Sequence, residues 1–311
     1  MKTALITGGN GNLGKLVAAQ LLQRGVHVIK FDIPGTEPEK SEARETIVIG
    51  DMRNTDQLQG ILNEYKPDTI FHLASLLSGS SEADHCAAWD INATASFHLL
   101  RLAVGANVER FFFAGTNASY GGKVSDPLPE TFEQWPENIY GATKVAVERL
   151  GVFYKHKNNL DFRVLRFPLV VSPFAPTTAV TAFPSHAFRA AMQGRAFAFP
   201  VNANTGMSTI FLEDVISSIV DFTSVPRAQV KQHAYNLHAY HLTTQMVIDE
   251  IVKRYPDFKY TFEVDPVVEK LISDWPNIIE DQHARKDWGW QPRYNFKQSA
   301  ERMFEWIAEV G

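Results

Sequence analysis

The stretch that most restricts the fold is an apolar run at residues 3–7 followed by Gly8-Gly9-Asn10-Gly11-Asn12-Leu13-Gly14. Leu13, Leu16, Val17, Leu21 and Leu22 then recur at helical spacing, so the segment reads as strand, tight turn, helix. With Gly8, Gly11 and Gly14 three apart, the turn brings backbone N–H groups, those of Asn12 and Leu13 among them, and the positive end of a helix dipole to one spot. Such a spot receives a pyrophosphate.

The alternation continues along the chain. Residues 26–31 and 46–49 read as strands, 55–65 as a helix, and 69–73 as a strand after Pro67-Asp68. Residues 89–104 read as one long helix, 110–114 as a buried strand, 140–156 as a helix and 162–167 as another strand. Strands that alternate with helices of 10 to 20 residues predict an α/β chain with a doubly wound parallel sheet of Rossmann type. After Pro168 prolines punctuate the chain, and helical stretches at 212–223, 244–254 and 298–309 lie between polar loops. Residues 1–167 are therefore expected to form the dinucleotide-binding domain. Residues 168–311 form mainly a smaller substrate lobe, partly interleaved with the first and closing over the sheet's carboxyl edge.

Composition excludes other classes. The 311 residues carry Lys+Arg 30 against Asp+Glu 35, a net charge of −5, which argues against a nucleic-acid binder. Apolar runs such as 111–114 and 167–171 are far shorter than the roughly 20 residues of a membrane span. The residues after Lys2 are too few for the apolar part of a secretory signal. Cys86 is the single cysteine and has no disulfide partner in the chain, which fits a reducing, cytoplasmic setting; no metal is expected.

Asp32 ends the second strand, 18 residues beyond Gly14, where a carboxylate can accept hydrogen bonds from both hydroxyls of an adenosine ribose. It would repel a 2′-phosphate, and no arginine adjoins it at 31 or 33, so NAD is expected rather than NADP. Asp51 and Met52, after the third strand, are expected at the adenine ring. Tyr140 and Lys144 are four apart on a helix and project from one face. A phenol ionises near pH 10 by itself, and a neighbouring ammonium is expected to lower that so Tyr140 serves as acid or base nearer neutrality.

Taken with Phe111-Phe112-Phe113-Ala114-Gly115-Thr116-Asn117-Ala118-Ser119-Tyr120-Gly121, these motifs resemble the extended short-chain dehydrogenases/reductases, the NAD-dependent epimerase/dehydratase family, over nearly all of the chain. The resemblance implies a catalytic set of Thr116, Tyr140 and Lys144, with Thr116 where many relatives carry Ser. It implies a cofactor contact at Leu73-Ala74 after His72. Asn92 becomes a structural or proton-relay residue on the long helix.

Several segments are similar to the short-chain type of L-threonine 3-dehydrogenase: 68–78, Ala88-Trp89-Asp90-Ile91-Asn92, Val264-Asp265-Pro266, Ser273-Asp274-Trp275-Pro276 and Arg285-Lys286-Asp287-Trp288-Gly289-Trp290. That resemblance implies oxidation of L-threonine to 2-amino-3-oxobutanoate, with Ser78, Thr116, Tyr140, Thr177, Thr178 and Trp275 around the substrate. Arg166 and His186 are further candidates to hold a carboxylate. The type's Thr-Thr-Asp reads Thr177-Thr178-Ala179 here, so a counter-charge for the ammonium is missing. The stretch through His186 resembles sugar-acid dehydrogenases such as D-erythronate dehydrogenases. A nucleotide-sugar epimerase or dehydratase, or an NAD-binding redox sensor without turnover, are the other readings. Relatives imply a homodimer that pairs helices 89–104 and 140–156.

Overall fold

The computed structural model describes residues 1–36, 42–176 and 179–310. The chain begins with β1 (Thr3–Thr7), α1 (Asn12–Gln23), β2 (His27–Asp32), β3 (Glu45–Ile49), α2 (Thr55–Tyr65), β4 (Thr69–His72) and α3 (Ser78–Ala83). It continues with α4 (His85–Ala88), α5 (Ala95–Gly105), β5 (Arg110–Thr116), α6 (Ile139–Asn158), β6 (Asp161–Phe167), β7 (Leu169–Val171), α7 (Phe183–Met192) and β8 (Phe197–Phe199). The remaining elements are β9 (Gly206–Phe211), α8 (Leu212–Ser224), β10 (Tyr235–Asn236), β11 (Tyr240–Thr243), α9 (Thr244–Arg254), β12 (Tyr260–Phe262), α10 (Pro266–Ser273), α11 (Gln282–Trp288) and α12 (Phe296–Val310).

Seven strands form one sheet in the order β10-β6-β5-β4-β1-β2-β3. The pairings from β3 through β2, β1 and β4 to β5 are parallel. The order reverses between β1 and β4, which is the switch point of a doubly wound sheet, so the α/β expectation holds. In β5 the successive rings of Phe111, Phe112 and Phe113 are all buried. Alternate side chains point to opposite faces, so three consecutive buried rings require a sheet covered on both sides.

The chain divides into two compact units. The first comprises 1–119, 134–166 and 216–235, and the second 120–133, 167–215 and 236–311. Within the second, small sheets β11-β9-β7 and β12-β8 form. Apart from the apolar run at 167–171, these three- to six-residue strands carry too little periodicity to stand out in the sequence. The segment 120–133 joins this unit through its own bonds: Asp126 accepts from the backbone of Asn277 and Ile278 at 3.1 Å each, and Leu128 donates to Ile278 O at 2.9 Å.

The helix expected at 89–104 is interrupted. A π-helical turn, Trp89–Thr94, lies between α4 and α5. Its cause is local: Ser96 Oγ takes the Asn92 carbonyl at 2.6 Å, and the Asn92 amide is drawn sideways to the backbone of Leu76, accepting from its N–H at 2.8 Å and donating to its carbonyl at 3.0 Å. Cys86, on α4, is exposed. Among the described residues no helix is long and apolar enough to cross a membrane.

Candidate active site

The first unit builds the glycine turn at the carboxyl end of β1. Gly8 and Gly9 donate to Phe31 O at 2.9 and 3.3 Å, and Gly11 donates to Gly8 O at 3.1 Å. Gly8 has φ +70°, and a Cβ there would lie 2.8 Å from Ala74 N. A Cβ on Gly14 would lie 2.1 Å from Gly8 O, so only glycine lets α1 start against the turn. No side chain caps α1 and no acidic residue stands in its first turn. Its positive end is left for an outside anion, which is the cradle a dinucleotide pyrophosphate fits. Asp32 braces the turn by accepting from Asn10 N at 2.8 Å and from Ile33 N at 2.8 Å. Carboxylate oxygens each have two acceptor sites, so this leaves capacity for ribose hydroxyls.

Nearby cations are already compensated. Lys30 is buried against Glu45 at 2.8 Å. Arg53 forks onto Asp51 with bonds of 3.0, 3.1 and 2.6 Å, and this pair holds the Asp51 carboxyl below its ordinary range. Asp51, expected at the adenine, therefore spends its carboxylate on Arg53. Met52 is 6% exposed and lies in the same buried cluster as Phe31, Leu58 and Ile61.

A buried chain of hydroxyls and imidazole positions Leu73 and Ala74 beside the turn. Ser96 Oγ donates to Asn92 O, so it accepts from His72 Nε2 at 2.7 Å; His72 Nδ1 in turn accepts from Thr7 Oγ1 at 2.7 Å. Thr7 Oγ1 then accepts from Ala74 N at 3.4 Å. The arrangement needs a neutral ring. Burial, with the Lys144 charge adding to it, brings His72 down to about 3.

Tyr140 and Lys144 share one face of α6 as their spacing predicts, and Thr116, implied by the resemblance, lies beside Tyr140. Thr116 ends β5, its Oγ1 accepts from Ala118 N at 3.2 Å, and its hydroxyl acts on the Tyr140 phenol. α6 starts one residue before Tyr140, with Asn138 Oδ1 capping Gly141 N at 2.7 Å, a contact worth about 1 kcal/mol. Lys144 is 4% exposed, donates to Ala114 O at 3.1 Å, and has Nζ 4.8 Å from the Phe113 ring centre and 5.4 Å from that of Tyr140.

The electrostatics differ from the sequence expectation. Burial pushes Tyr140 up to about 12, opposed by the Thr116 hydroxyl. Burial also brings Lys144 down to about 8, opposed by the charge of Glu148. Lys144 directs its ammonium at a carbonyl, and loss of hydration outweighs mutual charge stabilisation.

Below this set lies a network absent from the sequence reading. Glu148, one turn beyond Lys144, receives Arg166 Nε at 3.1 Å and Nη2 at 2.7 Å. Gln134 Nε2 donates to Glu148 Oε2 at 3.1 Å and to Ser119 Oγ at 2.8 Å, and Ser119 Oγ donates to Thr116 O at 2.7 Å. The loop carrying Thr116 and the helix carrying Lys144 are thereby tied together. The spacing of Glu148 from Lys144 was the one available signal; Gln134 lies in an irregular loop. Arg166, considered for a substrate carboxylate, is instead bound to Glu148, and Asn92 to Leu76. Asn117, next to Thr116, has both side-chain polar atoms buried without a partner.

Ser78 opens α3 and its hydroxyl makes no hydrogen bond among the described residues. In the second unit, Trp275 follows α10, part-exposed, with its indole N–H unbonded and its ring paired with no other aromatic among the described residues. Thr177 and Thr178 lie outside the described residues. Ala179 donates its N–H to Pro176 O at 3.0 Å. His186 Nε2 bonds the same carbonyl at 3.0 Å, and burial lowers its pKa, the carbonyl opposing and Arg189 adding.

Comparison with known proteins follows this geometry. A profile described as "NAD dependent epimerase/dehydratase family" matches residues 4–237. An uncharacterized epimerase/dehydratase of Staphylococcus saprophyticus is 31% identical over 319 residues, covering 99% of this chain and 97% of its own length. The mitochondrial L-threonine 3-dehydrogenase of Bos taurus is 29% identical over 303 residues, covering 96% of this chain and 81% of its own. The X-ray structure of L-threonine dehydrogenase from Clostridium difficile aligns with a TM-score of 0.92 at 28% identity, covering 100% of this chain and 99% of that one. A dinucleotide cradle, a Thr-Tyr-Lys cluster and a match across three quarters of the sequence agree: the chain belongs to the NAD-dependent epimerase/dehydratase family, a family of NAD(P)-dependent oxidoreductases.

Proposed function

We propose that this chain is an NAD-dependent dehydrogenase of a small secondary alcohol, with L-threonine, oxidised to 2-amino-3-oxobutanoate, as the favoured substrate. The observation that carries the reading is Lys144 on the face of α6 that carries Tyr140, its Nζ 5.4 Å from the Tyr140 ring centre, with Thr116 acting on the phenol, beside an uncapped glycine turn. Likeness to threonine dehydrogenases across the whole chain supports the substrate.

Thr116 Oγ1 orients the substrate hydroxyl and Tyr140 Oη takes its proton. Lys144, protonated below about pH 8, stabilises the phenolate that forms and offers donors to a ribose hydroxyl. A dinucleotide held by the glycine turn would supply the hydride acceptor for the carbinol carbon. Gly8, Gly11, Asn12, Leu13 and Gly14 are assigned to the pyrophosphate and Asp32 to the adenosine ribose. Asp51, Met52, Leu73 and Ala74 complete the cofactor set. Substrate choice is assigned to Ser78, and in the second unit to Thr177, Thr178 and Trp275, whose indole N–H is unspent.

Ala179 favours a second reading, a sugar-acid dehydrogenase of the D-erythronate kind, because an acid brings no ammonium that needs a counter-charge. A homodimer is also proposed. Trp89 and Phe153, on the two helical stretches that would pair, are 46% and 53% exposed.

NADH formation with L-threonine, L-serine and D-erythronate side by side tests the assignment. Threonine turnover supports the first reading, erythronate turnover alone replaces it with the second, and silence on all three removes both. Tyr140→Phe should cost roughly 10²–10⁴-fold in kcat with NAD affinity unchanged; full activity in that variant refutes the role. Equal kcat/KM with NADP would refute the role of Asp32.

A further inference from the structure

A second cluster of charge lies on α7 and the connection to β8, in the second unit and outside every residue assigned to the reaction except His186, a candidate for holding a carboxylate. His186, Arg189, Ala190, Arg195, Ala196 and Phe197 line an open cavity of about 200 Å³. Among the described residues no carboxylate lies within ion-pair distance of Arg189 or Arg195. Arg189 donates only to Pro173 O, and Arg195 only to the amide oxygen of Gln193. The one charge that acts on His186 is the cation of Arg189.

Two guanidiniums beside one cavity, with no carboxylate among the described residues within ion-pair distance of either, make a concentration of positive potential in a protein whose net charge is −5. Guanidinium forks match oxyanions in shape as well as charge. The ring of Phe197 and the methyl groups of Ala190 and Ala196 supply an apolar wall beside them, with room beyond a single oxyanion.

We propose that this cavity binds a phosphate group, carried by a small phosphomonoester whose organic part lies on Phe197. Arg189 and Arg195 hold the dianion, while His186, whose one ring N–H goes to Pro176 O, only lines the cavity. Arg189 and His186 also hold the carbonyls of Pro173 and Pro176, and Ser185 Oγ accepts from Ser172 N at 3.0 Å. The occupant therefore shares its ligands with the segment that leads to residues 177 and 178. On the proposed reading of the substrate loop, and only on it, occupancy shifts the substrate KM.

Titration calorimetry of the intact protein with glycerol phosphate, inorganic phosphate and acetate tests the site without reference to turnover. Saturable binding of the ester, weaker binding of phosphate and none of acetate is the expected order. Arg195→Gln should weaken the ester about tenfold and Arg189→Gln at least as much, while Lys297→Gln, on the exposed face of α12, should leave it unchanged. Inorganic phosphate binding as tightly as the ester would overturn the apolar subsite. Absence of saturable binding, or binding in both arginine variants as tight as in the unsubstituted protein, would overturn the site. An unchanged substrate KM at saturating ester would overturn the coupling to the loop alone.

Discussion

Arg166 and the pair Arg189–Arg195 show two ways in which this chain carries guanidinium charge. Arg166 is 9% exposed, forked onto Glu148, and Glu148 is further satisfied by Gln134. Arg189 and Arg195 meet neutral oxygens only. In the first case charge and counter-charge both come from the fold, and the result is a brace between the Thr116 loop and α6. In the second the fold supplies one sign. Tracing where the opposite charge comes from thus separates a cation that holds architecture from one that faces a ligand, although both are arginines.

The largest expected effect tests the brace. Arg166→Ala leaves the Glu148 carboxylate buried without its partner and should cost about 3–5 kcal/mol of unfolding free energy in urea titration, whereas Arg166→Met combined with Glu148→Leu should recover most of it. A single-variant loss below about 1 kcal/mol would place Arg166 in the same class as Arg195. Next, Glu148→Gln removes the negative charge that opposes the lowering of Lys144. Loss of a stabilising anion disfavours the ammonium, so Lys144 moves further below about 8 and the alkaline limb of kcat/KM should shift to lower pH. An unmoved limb would reduce Glu148 to a purely mechanical tie.

Asn117→Ala should change stability by less than about 1 kcal/mol, because the amide it removes is buried with neither end satisfied. A larger loss would reveal a bonded partner and put Asn117 with the brace. The smallest effect belongs to the other pole: Arg195→Gln should fall within about 0.5 kcal/mol in thermal unfolding, as expected of a charge the fold does not use.

The sheet was legible because β1 and β5 carry short apolar runs separated by helical periodicity, and the Gly8–Gly14 spacing admits few alternatives. Tyr140 and Lys144 were legible because helix geometry converts a spacing of four into a shared face. What the sequence did not show is where a charged side chain finds its partner. Arg166 meets Glu148 across 18 positions, and Glu130 bonds His283 N at 2.9 Å across 153. Such pairings depend on tertiary placement, so Arg166 looked available for a substrate, and 120–133 carried no mark of the unit it joins. Likewise the expected lowering of Tyr140 considered charge without hydration, and burial reversed its sign. The π turn was hidden because Trp89 to Thr94 keeps a helical apolar pattern while the departure comes from Asn92 bonding sideways.

The exposed position of Cys86 on α4 has a practical consequence. The chain has one thiol, so a maleimide label enters at one defined place without any engineering. That place lies on α4, just ahead of the helical run proposed to pair two copies. A single chain then carries one reporter and a paired molecule carries two, so self-quenching of the dye on concentration counts the subunits directly.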